Sequence, residues 1–301
     1  MKELLKIFRY ISSHPLASRR KSVAYRRFIS WQIAQSVLRR PVLYPFVEDS
    51  VLLIEKGMTG ATGNIYTGLL EFADMAFVLH VLRSGDIFGD VGANVGVYTI
   101  LAAKNAGARV FSVEPIPSTV QKLRRNVDLN EVAASVVILP YVAGDGSGPQ
   151  TVRFTQTMDT VNHVIRDGEQ IDSKDTVEVP VRTLDELLAG NIPSVIKIDV
   201  EGFEWPALTG AKEILGSARL NAIIIELNGS GAAYGYSDQQ IHQLLLSYGF
   251  SPYAYDPFTR GLRQLSAPTH GNDNTIYIKD AEWVTHRVQT ARKFNIMGED
   301  V

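Results

Sequence analysis

"FGDVGANVGVYT", Phe88–Thr99, is the stretch on which the reading of this chain turns. A short apolar run, Ile87–Val91, carries Asp90 near its end and is followed by Gly92 and Gly96 at a spacing of four. Glycines lack the Cβ that blocks a tight turn or the close approach of a ligand to the backbone. The pattern predicts a strand, a glycine loop and a helix over Val97–Asn105. The loop is not the G-x-G-x-x-G of a dinucleotide site, because Asn94 stands at the middle position and Thr99 comes three residues after Gly96. Nor does it hold the Gly-Lys-Ser/Thr of a Walker loop. Asp90 repels a phosphate there but tolerates a cationic amino acid or sulfonium.

Outward from this loop, strands and helices alternate. Further strands are predicted at Arg109–Val113, Val136–Pro140, Val195–Val200, Ala222–Leu227, Pro252–Tyr255 and Thr275–Ile278, and helices at Ser118–Asn130, Trp205–Leu215 and Asp238–Tyr248. Runs such as "VIKID" and "AIIIEL" are apolar without alternation, which marks strands covered on both faces and hence an α/β fold with a mostly parallel sheet. The second strand ends at Glu114, 24 residues after Asp90. An acid there accepts hydrogen bonds from both hydroxyls of a ribose. Asp90, Gly92, Asn94, Gly96 and Glu114 together describe an adenosine site without a pyrophosphate, which points to S-adenosylmethionine. Asn64 and Tyr66, in "GNIYTG" ahead of a helix expected over 67–83, are further candidates for the cofactor pocket.

"DVGANVGVYT", "VEPIPSTVQKLRRNV" and "IKIDVEGFEWPAL" together resemble the FkbM family of methyltransferases, over about residues 67–280. The third motif is the specific one. The resemblance implies a Rossmann-like sheet of seven strands with helices on both faces and the last strand antiparallel. It also implies S-adenosylmethionine as cofactor, mostly for O-methylation, with the cofactor positions falling on Asp90, Gly92, Asn94, Gly96 and Glu114.

Methyl transfer to a hydroxyl requires a positioned acceptor and a group that takes its proton. In open α/β sheets that chemistry sits at the carboxyl ends of the strands. Asp199, Glu201 and Glu226 all fall there, and repulsion among three converging carboxylates is expected to raise the pKa of one toward the range of a general base. The structural alternatives are that Asp199 caps the next helix, that Glu201 favours its positive end and that Glu226 pairs with a cation. Asp199, Glu226 and Asn228 also offer three oxygens to Mg²⁺, as in catechol-type enzymes. Glu in place of Asp, and Leu227 between acid and amide, weigh against that set, so no metal is assigned. His163, in an insertion at about 145–181 whose alternating stretches predict a hairpin, is the remaining catalytic candidate; His270 is a weaker one.

The whole chain has 301 residues and no cysteine, which excludes disulfides, thiolate metal sites and cysteine nucleophiles. Residues 1–40 carry ten Lys/Arg against Glu3, a balance of +9, so the remainder carries −11. This leader reads as helical, with Ala24, Phe28, Trp31, Ala34 and Leu38 on one side. No apolar run approaches the roughly 20 residues needed to span a bilayer, and Lys6, Arg9 and His14 interrupt any signal-peptide core. The expectation is a soluble, cytoplasmic protein in three parts: a basic helical extension with a short β segment (1–60), a methyltransferase domain (61–280) and a C-terminal tail (281–301). Three roles are open to the leader: packing on the body, pairing in a homodimer, or peripheral contact with an anionic membrane. The function expected is O-methylation of a small molecule, a sugar or a lipid-linked glycan. The competing readings are a nucleic-acid methyltransferase clamped by the leader, which the acidic body disfavours, and a non-catalytic cofactor-binding module, which intact Asp90, Glu114 and Asp199 argue against.

Overall fold

The computed structural model describes residues 2–38, 40–55, 57–148, 150–155, 163–165, 169, 171–172, 175–269 and 274–301. His270 and much of the insertion loop lie outside the described residues. Eight strands form the central sheet: β1 (Ile87–Val91), β2 (Arg109–Val113), β3 (Val136–Leu139), β4 (Val195–Ile198), β5 (Ala222–Glu226), β6 (Ser251–Asp256), β7 (Gly261–Gln264) and β8 (Asn274–Ile278). Their order is β7-β6-β8-β5-β4-β1-β2-β3. β8 runs antiparallel between β5 and β6, as the resemblance implied for the last strand. The eighth strand, β7, was not expected; it pairs antiparallel with β6 through a tight turn and adds an edge beyond the seven-stranded core.

Residues of β5 show why its sequence reads as unbroken apolar. Ala222 and Ile224 pack into the core on one face, Ile223 and Ile225 into the core on the other, and all four are fully buried. The first core lies under the helices α3 (Thr59–Thr67) and α4 (Phe72–Val81). Beyond the glycine loop, α5 (Val97–Ile100) passes into a π-helical turn over Leu101–Asn105, and α6 is Pro117–Leu129. The second core lies under α7 (Leu184–Leu188), α8 (Glu204–Thr209), α9 (Lys212–Gly216) and α10 (Asp238–Ser247).

Three segments depart from the sequence reading. The helix expected over Trp205–Leu215 is two helices, because Gly210 packs so closely that a Cβ would strike the Gly144 carbonyl. The stretch "TGATGNIYT", whose glycines suggest a turn ahead of the helix expected over 67–83, is helix α3: packing against the leader overrides glycine's low propensity, and Gly63 leaves room for Leu70. Residues 281–301 are not a loose tail. Helix α11 (Ala281–Gln289) is capped by Asp280, Arg287 pairs with Asp86 at 2.9 Å, and Val284, Val288, Phe294 and Ile296 join the first core.

The leader forms α1 (Lys2–Ser13) and α2 (Lys21–Leu38), followed by an antiparallel pair, Val42–Pro45 with Val51–Ile54. Ala24, Phe28 and Trp31 turn inward and are buried, as a core stripe should be. Phe28 meets Tyr66 edge-on at 5.1 Å, and Arg20 pairs with Glu299 at 2.6 Å. In the insertion, Thr151–Thr155 pairs antiparallel with Thr176–Arg182, the hairpin that the alternation predicts.

Candidate active site

β1 is flanked by β2 on one side and β4 on the other, so the chain leaves it in opposite directions and a crevice opens at the strand ends. A cavity of about 260 Å³ fills that crevice. The glycine loop makes its floor. Gly92 and Ala93 donate their N–H groups to the Val113 carbonyl at 2.9 and 3.0 Å, which folds the loop over the end of β2. Gly92 has φ +82°, and a Cβ there would run into the Asp199 carbonyl. Only glycine lets β1 and β4 end this close together.

Glu114 is buried at the end of β2. Its carboxylate accepts the Asn94 N–H at 2.9 Å and the Ile116 N–H at 3.0 Å. Both oxygens are thus fixed in direction, and the carboxylate lines the cavity. Asp90 is 1% exposed and accepts the Thr99 hydroxyl at 2.6 Å. Burial pushes its pKa up, against the opposing pull of Thr99 and Lys197.

Lys197, inside β4, is 3% exposed, and its Nζ lies 2.6 Å from Asp199 Oδ2. Burial alone lowers an ammonium's pKa, but Asp199 and Glu71 together hold this one above its ordinary value. The Nζ also sits 4.7 Å from the Tyr98 ring centre. Tyr98 donates to Glu71 at 2.7 Å, and the Asn274 amide bridges Glu71 and Asp74, each at 3.1 Å. β4, α5, β8 and the start of α4 are therefore tied together behind the site.

Glu201 and Glu226 stand on the β4–β5 side of the cavity. Burial first, then the Asp199 charge, raises each to about 7. Glu204, 4% exposed, is also raised to about 7 by burial, but its carboxylate is committed to the Val200 and Gly202 N–H groups at 3.3 and 3.1 Å. Among the described residues no side chain caps α8, so Asp199 does not play the capping part open to it. The Asn228 side chain accepts the Ser230 N–H at 2.9 Å within its own turn. Among the described residues no set of three or more His, Asp or Glu side chains is arranged to hold a metal.

The cavity thus brings together Asp90, Gly92, Asn94, Glu114, Asp199, Glu201 and Glu226. Four other candidates lie off it. Gly96 starts α5 at φ +93° and lets Leu123 pack against the loop. Asn64 closes α3, with its amide on Gly60 and its Oδ1 taking the Leu70 N–H at 2.8 Å. Tyr66 faces the leader, and burial pushes its hydroxyl up to about 12. His163 pairs with Glu169 at 3.1 Å inside the insertion, which sends Phe154 to the cavity instead. Residues that the sequence reading passed over are Glu71, Tyr98, Tyr141, Lys197 and Phe203.

Among the described residues six carboxylates line the cavity, from Glu71, Asp90, Glu114, Asp199, Glu201 and Glu226, against one ammonium, Lys197. Such a donor set rejects a pyrophosphate and suits a ligand bearing positive charge and ribose hydroxyls. On the β2–β3 side the lining is apolar, with Ile116, Tyr141, Val142 and Phe154, and fits a flat base. These residues fit S-adenosylmethionine.

Hexuronic acid methyltransferase AglP of Haloferax volcanii is 28% identical over 154 residues, covering 50% of this chain and 59% of that protein. The chain thus spans less than two thirds of that relative's length. The 31-O-demethyl-FK506 methyltransferase FkbM of Streptomyces tacrolimicus is 25% identical over 221 residues, 63% of this chain and 83% of the relative. A crystal structure of methyltransferase FkbM from Methylobacillus flagellatus KT aligns with TM-score 0.42 at 18% identity, covering 75% of this chain and 56% of that one. The Methyltransferase FkbM domain family matches residues 90–252, from the acid of the glycine loop to the start of β6. That match spans more than half of the sequence, and the chain belongs to the FkbM family of methyltransferases.

Proposed function

We propose that the chain is an S-adenosylmethionine-dependent O-methyltransferase whose acceptor is a hydroxyl on a sugar or another small molecule. The observation that carries this reading is one cavity with two differently equipped sides: Glu114 and an apolar lining on one, Glu201 and Glu226 raised to about 7 on the other. Two relatives are named for acceptors rich in oxygen, hexuronic acid and 31-O-demethyl-FK506, which supports a hydroxyl.

When bound, S-adenosylmethionine supplies a methyl group made electrophilic by its positive sulfur. The Glu114 carboxylate would hold the ribose hydroxyls, and the turn at Gly92–Asn94 would let backbone approach the ligand. The Asp199–Lys197 pair is neutral as a unit and fixes the end of β4. Glu201 and Glu226 sit where an acceptor hydroxyl must give up its proton. With values near 7, one of them is ionised at neutral pH and takes that proton at its carboxylate oxygen. A base matched to working pH contributes roughly 10²–10⁴-fold.

The test is incubation with methyl-labelled S-adenosylmethionine and extracts of sugars, glycolipids and small molecules. Label should appear in a product stable to mild alkali, as a methyl ether is. Label in nucleic acid, or in an alkali-labile ester, would overturn the proposal, as would cofactor binding without turnover of any acceptor fraction.

A further inference from the structure

Helix α2 has two apolar faces, and only one is covered. Ala24, Phe28 and Trp31 are buried against the body, whereas Ile29, Ile33 and Val37 on the opposite side are 50%, 60% and 74% exposed. Spacings of four put these three in one stripe, roughly 12 Å long at 1.5 Å per residue. Arg26 lies on the same face one turn earlier, and Arg40 follows the helix end. The basic residues of the leader divide in the same way. Arg20 pairs with Glu299, Arg19 lies 3.5 Å from the Phe258 ring centre and Arg27 lies over Tyr44, all toward the body. Among the described residues Arg9, Lys21, Arg26 and Arg40 meet no carboxylate, although the body of the chain carries −11.

We infer that the outward face of α2 docks on an anionic lipid bilayer. An aliphatic stripe edged by unpaired arginines is what such a surface takes up: the side chains enter the headgroup boundary while the cations meet lipid phosphates. A second copy fits worse. Antiparallel pairing about Ile33 sets Arg26 of one helix against the end that carries Arg40 of the other, and parallel pairing sets each arginine against itself. Three aliphatic side chains also fall far short of the roughly 1,200 Å² that a stable interface buries. A nucleic acid would want stacking aromatics on the face, and the stripe has none. The same helix rests on α3, whose Gly60 and Ala61 line the cavity, so docking would hold the site close to the lipid surface.

The experiment is flotation of the full chain with phosphatidylcholine vesicles, with and without phosphatidylglycerol. Co-flotation is expected only with the anionic vesicles, and less of it at high salt. Arg26→Gln should lower partitioning about fivefold, the equivalent of about 1 kcal/mol for one basic side chain. Ile33→Ser should lower it by a comparable factor. Both positions are exposed, so both variants should keep the parent melting curve, and that measurement separates lost docking from lost folding. Absence of flotation, equal binding to neutral vesicles, or binding indifferent to both substitutions would overturn the inference. So would a dimer in sedimentation that Ile33→Ser abolishes while vesicles are ignored, which would make a second copy the occupant.

Discussion

Glu114 owes its aim to two backbone N–H groups, those of Asn94 and Ile116, and not to chance exposure. Glu114→Gln keeps one carbonyl acceptor and removes the charge. Hydrogen bonds to a charged group contribute about 1.5–3 kcal/mol, so affinity for the cofactor or its demethylated product should fall between tenfold and about a hundredfold by calorimetry. Equal affinity in the variant would remove Glu114 from the site. Asp199 acts through its neighbours. Asp199→Asn leaves the buried Lys197 without its partner at 2.6 Å, a loss on the order of 3 kcal/mol in folding stability. It also lifts a negative charge from Glu201 and Glu226, so the rising limb of the pH–rate profile should move to lower pH. A profile that stays in place with saturating cofactor would deny the coupling. The acids were legible in the sequence because each lies at or just past the carboxyl end of a strand, where chemistry in this fold collects. Lys197 was not read, although a lysine within "VIKID" needs a partner and Asp199, two residues on, shares its face. Glu71 had no such signal: Tyr98 and Asn274, distant in sequence, place it. Asn64 and Tyr66 sat near the cavity in sequence, but helical rather than turn geometry directs them elsewhere.

At the scale of elements, the glycine loop works because β1 and β4 end almost in contact. Gly92→Ala adds a Cβ at φ +82° that runs into the Asp199 carbonyl. Relief requires the two strand ends to part, so the variant should lose at least about 2 kcal/mol in urea denaturation and bind cofactor poorly. A variant as stable as the parent would show that the ends are not held. Periodicity found the strands of the parallel sheet because burial on both faces leaves an unmistakable apolar run. It found less where packing overrules local preference. α3 is helical despite its glycines because α2 covers it, and the break between α8 and α9 is set by the backbone at Gly144, which no local pattern announces. β7 is too short and polar, "GLRQ", to stand out from the turn before it.

Across the whole molecule, buried charge makes folding pull against function. An ordinary glutamate ionises near 4.5, whereas Glu201, Glu204 and Glu226 do so at about 7. Between those values the folded chain keeps protons that the unfolded chain has released, so stability falls as pH rises through this window. His80 opposes the trend: burial lowers it from 6.5 to about 4, and stability is lost as pH falls through that range. At about pH 6.5 an unfolded histidine is already half deprotonated, so the stability that His80, His14 and His242 still gain above it is smaller than the loss from three glutamates, and the ligand-free chain should melt at a lower temperature at about pH 8 than at about pH 6.5. Glu226→Gln takes one partly buried charge out of this balance while keeping the shape. It should raise the melting temperature at about pH 8 by a few degrees, change it little at about pH 5, and cost most of the methyl-transfer rate, the usual exchange of stability for activity. A cationic ligand should act in the same direction, so the gain in melting temperature on adding S-adenosylmethionine should be larger in the parent than in Glu226→Gln. A ligand-free parent whose melting temperature is flat or rising between about pH 6.5 and 8, or a Glu226→Gln protein less stable than the parent at the upper end, would show that these acids are not held against their charge.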